Sequence, residues 1–429
     1  MASWVQSLPE IISRFITSPL MQNISALTGL QVLSYLITLV TLPYLTRVLG
    51  PEEWGHVVWL QIILSYFTTL SDWGFSWSGT RKIATLRNDR AALSKCFFAG
   101  WVVQCGLCAV AVFILLGLWA FTPFLKQFDG YVLYGTGVII SGVLFPAWML
   151  AGLERMREVA IGQLAIRAGS VPLIFIFVRT PEDGPLVIAI SALTGLIAGM
   201  AILLWVRKKL FLDWHWPKLT QIRVEFLESS AIFFSHVWIT LYTSLTPTIL
   251  GSITGAASVG QYVLADKIRM TIQSLIAPVA QALFPRMSYL FAHDRPAALR
   301  LLWHSGRLVA LISLIASLVL FLLAEPIILL IAGPNFSDAV KLLRWLSPLP
   351  LVVVMSNLFG AQIMLAQGMM AEVNRVLTVG GITSLIIMLP LITWGGSTGA
   401  AINTLFIEFI IAIGFIINTF ISKKILWNY

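Results

Sequence analysis

Three basic side chains, Arg167, Lys267 and Arg269, fall inside stretches that are otherwise apolar, and a fourth, Arg47, stands at the end of one. A charge near the middle of a bilayer costs roughly 2.5–3.5 kcal/mol on insertion scales, so such residues normally face water or a polar interior. Asp266 and Arg269 are three apart, which places both on one helix face and lets them pair. Lys267 then belongs to another face, without a local partner. Glu408 sits mid-run, where a desolvated carboxyl can carry a proton or coupling ion, or can be the structural partner of a cation. Asp72 lies near the end of a run, a place for a helix-end or loop contact. Asn357 and Gln362 are isolated amides suited to a polar ligand or to bonds between membrane helices. Cys105 and Cys108 form C-x-x-C in an apolar run with no His or acid nearby, so packing explains them better than metal or redox chemistry. The five histidines are scattered, none with the i, i+4 spacing of a helical zinc site, and no metal or cofactor is expected.

The elements that carry these residues have to be membrane helices. The chain of 429 residues is 58% hydrophobic and 11% charged, far from the roughly 25% charged residues of soluble domains. Apolar runs near the ~20 residues that cross a bilayer recur along its length, with no soluble stretch between them large enough for a separate domain. About twelve spans are expected, at 23–48, 56–78, 97–121, 131–151, 159–179, 185–206, 227–253, 260–284, 306–324, 346–366, 374–394 and 399–421. Ahead of them, Ser7 and Glu10 have capping-box spacing, and Leu8, Ile11, Ile12, Phe15 and Ile16 share a face, predicting an amphipathic interfacial helix over 1–20 rather than a cleaved leader. An N-lobe over 21–210, a linker over 211–224 and a C-lobe over 225–429 follow from the span count.

Basic residues near span ends mark the cytoplasmic side. Twenty lie in the even-numbered loops and termini, Arg81, Lys82, Arg207, Lys208 and Lys209 among them, against five in the odd-numbered loops. Both termini are therefore expected in the cytoplasm, and the formal charge of +9 is an orientation signal and a lipid attraction, not a nucleic-acid footprint. Trp54, Trp73, Trp77, Trp148, Trp205, Trp394 and Trp427 fall near span ends and fit interface anchors. An internal repeat is also legible. Leu42-Pro43 followed by Gly50-x4-Gly55 aligns with Thr246-Pro247 followed by Gly255-x4-Gly260, so each half turns between two helices on a glycine pair. Six spans per half relate the halves by an axis along the membrane normal, and repeat-built transporters place substrate between halves.

The stretch Leu42-Pro-Tyr-Leu-Thr-Arg-Val-Leu-Gly-Pro-Glu-Glu-Trp-Gly55 resembles the polysaccharide-unit (O-antigen) flippases of the multidrug/oligosaccharidyl-lipid/polysaccharide exporter superfamily. So do Ser71-Asp-Trp-Gly-Phe-Ser-Trp-Ser-Gly-Thr-Arg-Lys-Ile-Ala84, Ala282-Leu-Phe-Pro-Arg286, Leu342-Leu-Arg-Trp-Leu-Ser347 and Ser356-Asn-Leu-Phe-Gly360, in order along nearly the whole chain. The resemblance implies an all-α membrane protein of two six-helix lobes around a central cavity. It also implies export of an oligosaccharide on undecaprenyl pyrophosphate across a bacterial cytoplasmic membrane, with membrane lipids and polysaccharide polymerase or chain-length machinery as partners. Gly50, Gly55, Gly255, Gly260 and the region from Asp72 to Arg81 become turn or gating parts. On that footing Arg47, Arg167, Lys267 and Arg269 would meet the pyrophosphate, Arg by its bidentate fork. Asn357 and Gln362 would meet sugar hydroxyls, and Glu408 or Asp266 a coupling ion. The alternative within the superfamily is a cation-coupled drug antiporter, which calls for acidic and aromatic cavity residues. A membrane enzyme would need a large outer loop, which is missing, and the absence of any Gly-Lys pair removes the ATP-binding phosphate loop.

Overall fold

The computed structural model describes residues 19–209, 216–274 and 277–421. The expected interfacial helix lies almost wholly outside them. Among the described residues every regular element is helical. Helix α1 (Pro19–Asp72) and the last helix, α15 (Met370–Ile421), are each two helices joined at one glycine. Gly50 (φ 72°) and Gly396 (φ 54°) take the left-handed backbone that side-chain-bearing residues avoid, so the chain reverses there. These are the breaks expected between the first two and the last two spans.

Between them run α2 (Phe75–Leu86), α3 (Arg90–Phe121), α4 (Val132–Leu144), α5 (Ala147–Gly152), α6 (Met156–Phe177) and α7 (Gly184–Lys209). Next come α8 (Leu219–Thr254), α9 (Ala256–Ser274), α10 (Ala277–His293) and α11 (Arg295–Leu322). After these come α12 (Ala324–Ala332), α13 (Ser337–Leu346) and α14 (Leu349–Ser356), which continues as a π-helix over Asn357–Met364, and short single-turn helices such as Pro123–Lys126 lie between the longer ones. Local chemistry sets several of these ends. Asp89 caps α3 by accepting from Ala92 N at 3.0 Å. Pro146, with no N–H to give, splits one expected span into α4 and α5. Arg207, Lys208 and Lys209 close α7 where the helix dipole favours cations. The second expected span stops earlier than hydropathy suggests, at Asp72, because Trp73 (φ 47°) and Gly74 (φ 81°) turn the chain.

Among the described residues seven helical stretches are long and apolar enough to cross a membrane, and α15, at 52 residues, has length for two crossings. The chain is a multi-pass membrane protein. Large apolar side chains such as Phe113 (79% exposed) and Ile386 (68%) face outward, as lipid requires and water would penalise. Two compact units form: the residues up to Leu49 with Leu60–Leu241, and Gly50–Trp59 with the chain from Tyr242 onward. The first half of α8 thus belongs to the N-terminal unit and its second half to the C-terminal one. The N-terminal core gathers Phe75, Ile83, Phe97, Trp148, Met149 and Val206. In the C-terminal unit Met287, Leu290, Leu302 and Ile363 form one cluster, and Met364, Val376, Ile407 and Phe415 another.

Candidate functional site

The two glycine turns of the repeat meet in the C-terminal unit. Gly50 and Gly255 are equivalent in sequence and share a positive φ, 72° and 86°. Five residues on, a methyl group built on Gly55 would overlap the carbonyl of Ala256, and one on Gly260 would overlap the carbonyl of Pro51. Ala256 and Pro51 each directly follow their turn glycine, so the contact is reciprocal: each turn lays its second glycine on the backbone that opens the other. At these two points backbone rests on backbone, and only glycine allows that approach.

Behind this seam, the Lys267 ammonium lies 4.8 Å from the ring centroid of Trp54. Trp54 is 2% exposed, so it is a buried platform for a cation and not the interface anchor its position suggested. Lys267 enters no ion pair among the described residues. One residue away the opposite holds: Arg269, 6% exposed, donates to Asp266 Oδ1 through Nε at 2.8 Å and Nη2 at 2.6 Å, and to Gln273. Asp266 and Arg269 therefore neutralise each other, whereas Lys267 has no such partner among the described residues. Tyr262 bonds Thr404 at 2.8 Å, and Gln261 bridges Asn335 O and Ala339 N at 3.1 and 2.9 Å, which fixes α9 against its neighbours.

Farther along the unit a cavity of about 250 Å³ brings together Glu408, Asn357 and Ser356. The π-helix widens the backbone here, a feature that recurs at functional sites. Asn357 Nδ2 donates to Val353 O at 3.1 Å, and the buried Ser356 hydroxyl has no hydrogen-bond partner among the described residues. Gln362, 3% exposed, is buried in the same π-helix but does not line the cavity.

In the N-terminal unit Arg47 and Arg167 are both exposed, and Arg167 enters no ion pair among the described residues. Arg81 is exposed as well. The Asp72–Arg81 stretch docks on the first half of α8. The Trp73 ring stacks on Phe226 and Phe233 with centroids at 4.8 and 3.9 Å, and its indole N–H donates to Phe226 O and Ser230 Oγ at 3.2 and 3.1 Å. Ser78 and Ser229 bond at 2.8 Å. Lys82 Nζ reaches Glu225 at 2.7 Å and Glu228 at 3.0 Å. Burial pulls the Lys82 ammonium down, but the two carboxylates outweigh it and hold the group above its ordinary value.

Asp72 itself lines a second, more polar cavity of about 320 Å³ with Thr68, Thr69, Ser71, Ser76 and Gln104. Neither Gln104 nor the carboxylates facing Lys82 stood out in the sequence. Their partners are 44, 143 and 146 residues distant, and no local spacing announces such contacts.

Residues 20–291 match the family described as polysaccharide biosynthesis protein. A relative from Escherichia coli (strain K12), whose name assigns it O-antigen transport, is 29% identical over 389 residues, covering 91% of this chain and 94% of its own. One from Shigella dysenteriae, with the same name, is 26% identical over 394 residues, covering 91% and 98%. Among solved structures, the inward-facing form of a multidrug resistance MATE family transporter of the MOP superfamily superposes with a TM-score of 0.69 at 14% identity, covering 90% of this chain and 95% of that one. That likeness speaks for the fold alone.

Proposed function

This chain belongs to the polysaccharide biosynthesis protein family, and from that premise we propose that it flips a polysaccharide repeat unit carried on undecaprenyl pyrophosphate from the cytoplasmic to the outer leaflet by alternating access. The O-antigen transport assigned to its relatives supports the sugar cargo. The observation that carries the mechanism is the reciprocal seam of Gly55 on Ala256 and Gly260 on Pro51. Two backbones that touch at glycines alone can part and close with little repacking at those points, and the paired turns carry the repeat symmetry of repeat-built transporters. In the orientation set by the basic residues the seam lies on the outer side, both termini are cytoplasmic, and the membrane is a bacterial inner membrane.

The pyrophosphate is the hardest part of such a cargo to take across lipid. Lys267, without a carboxylate partner among the described residues and backed by Trp54, and the exposed Arg167 and Arg47 supply the compensating charge. Arg269 is committed to Asp266 and contributes position more than charge. Glu408 holds a coupling proton or cation while the cargo moves, a reading supported by the cavity it lines with Asn357. This chain acts as a transporter, with polymerase and chain-length machinery consuming its product. A strain lacking it should accumulate lipid-linked oligosaccharide on the cytoplasmic side; accumulation of organic cations instead, with normal polysaccharide export, would favour the drug antiporter.

A further inference from the structure

The polar cavity of the N-terminal unit has a donor and acceptor pattern that one class of ligand fits. Its hydroxyls are committed as donors inside the protein. Thr68 and Thr69 give their protons to Ser65 O at 3.0 and 2.8 Å, Ser71 to Phe67 O at 3.0 Å, and Ser76 to Asp72 Oδ1 at 2.7 Å. Each hydroxyl oxygen can still accept, and so can the Asp72 carboxylate. The wall of α1 and α2 is therefore a surface of acceptors.

Gln104 faces it from α3 and is 5% exposed. Its amide could in principle point either way, but Trp148 decides. The Trp148 indole, a donor only, gives its N–H to Gln104 Oε1 at 2.9 Å, so the –NH₂ end is turned away from Trp148. That –NH₂ has no protein acceptor among the described residues. Trp148 cannot readily move: it is 4% exposed, its ring packs beside Phe75 and Phe97, and it fills the space left by Gly79 and Gly100. Pro146, at the break between α4 and α5, aims it there.

An acceptor wall opposite two fixed N–H donors disfavours an inorganic cation, which the N–H groups would repel, and an anion, which would bring only acceptors to a wall of acceptors. A polyol gives protons to the wall and lone pairs to the amide. The volume of about 320 Å³ is at the small end of the ~300–1,000 Å³ usual for ligand sites, and Ile139 and Val143 offer an apolar wall to the carbon face of a ring. We propose that this cavity is a subsite for one neutral sugar ring of the cargo, read by Gln104, Asp72 and the Thr68–Ser71 hydroxyls, with Trp148 as the positioning residue. The assignment rests on the flippase reading and adds to it a site, inside one unit, that selects on sugar hydroxyls and not on phosphate.

The test uses the full chain in lipid nanodiscs with two probes. One is the lipid-linked oligosaccharide extracted from a strain lacking this protein; the other is sugar-free undecaprenyl pyrophosphate. Wild-type protein should bind the glycosylated probe more tightly. Gln104→Glu keeps the acceptor for Trp148 but removes both N–H groups, and should cut that preference about tenfold, the worth of a good hydrogen bond or two. Trp148→Phe keeps the ring but frees the amide to rotate, and should cut it less. Neither change should alter the affinity for the sugar-free probe. Equal binding of both probes by wild type overturns the subsite, as does a preference left intact in Gln104→Glu, including the case in which only the amount of folded protein falls. Binding of neither probe would remove the flippase reading itself, and the subsite with it.

Discussion

Replacing Gly55 by alanine puts one methyl group into the seam between the repeat turns. That methyl would overlap both the carbonyl oxygen and the carbonyl carbon of Ala256, so the turns must separate by about 1 Å or more before ordinary contact, 3.4 Å or longer, returns. No flexible side chain stands there to yield. Overpacking of this kind costs about 1–3 kcal/mol, and the cost falls only on the state in which the turns touch. If that state exchanges with one in which they part, the touching population drops by about 5–150-fold relative to the other. Val259 sits directly before Gly260 and is 0% exposed, which makes it a reporter. In a chain with Cys96, Cys105 and Cys108 replaced, Val259→Cys should react slowly with a membrane-impermeant thiol reagent, and Gly55→Ala should accelerate labelling within that range. Gly260→Ala, which overlaps the Pro51 oxygen and merely crowds Gly55 at 3.1 and 3.2 Å, should do so less. Both changes relieve the same contact, so the double variant should fall short of the sum. Unchanged labelling in Gly55→Ala, or a loss of folded protein with the remainder labelled at the wild-type rate, would refute the seam as a gate.

At Gly255 the demand is torsional, since nothing lies within 4 Å of an added Cβ at φ 86°: Gly255→Val should lower the folded amount in the membrane by about 1 kcal/mol or more, measured by quantifying folded protein. Arg167→Ala and Lys267→Ala should abolish export with insertion intact, and Arg167→Lys should retain part of it, charge without the fork, measured as oligosaccharide reaching the outer leaflet. Lys82→Ala strands Glu225, 8% exposed, and should lower stability by about 1–3 kcal/mol in a thermal melt. Because the folded Lys82 group is held above its unfolded value, its contribution is complete below the ordinary lysine value near ~10.4 and is lost only as pH rises past the folded one, so the difference between wild type and Lys82→Ala should be constant from about pH 6 to 9 and shrink above that.

What the sequence by itself determined follows from terms that act locally and add along the chain. Apolar length required membrane helices, and the two Gly-x4-Gly turns marked where helices reverse, because a positive φ is a property of one residue. The spacing of Asp266 and Arg269 announced their pairing, because i, i+3 neighbours on a helix meet whatever surrounds them. The tertiary structure decided the rest. Trp54, Trp73 and Trp148 could not be told from Trp77 and Trp394 by position, yet Trp54 and Trp148 are buried and Trp73 is stacked in packing, while Trp77 and Trp394 are 64% and 95% exposed. The sequence placed Gly55 and Gly260 in equivalent turns, but only folding lays each on the other's backbone. The Gln104 amide acquires its direction from an indole 44 residues away, and Lys82 its carboxylates from 143 and 146 residues away. Hydrogen bonds and close approaches are set by distance in space, and distance in space between remote segments exists only once helices have packed.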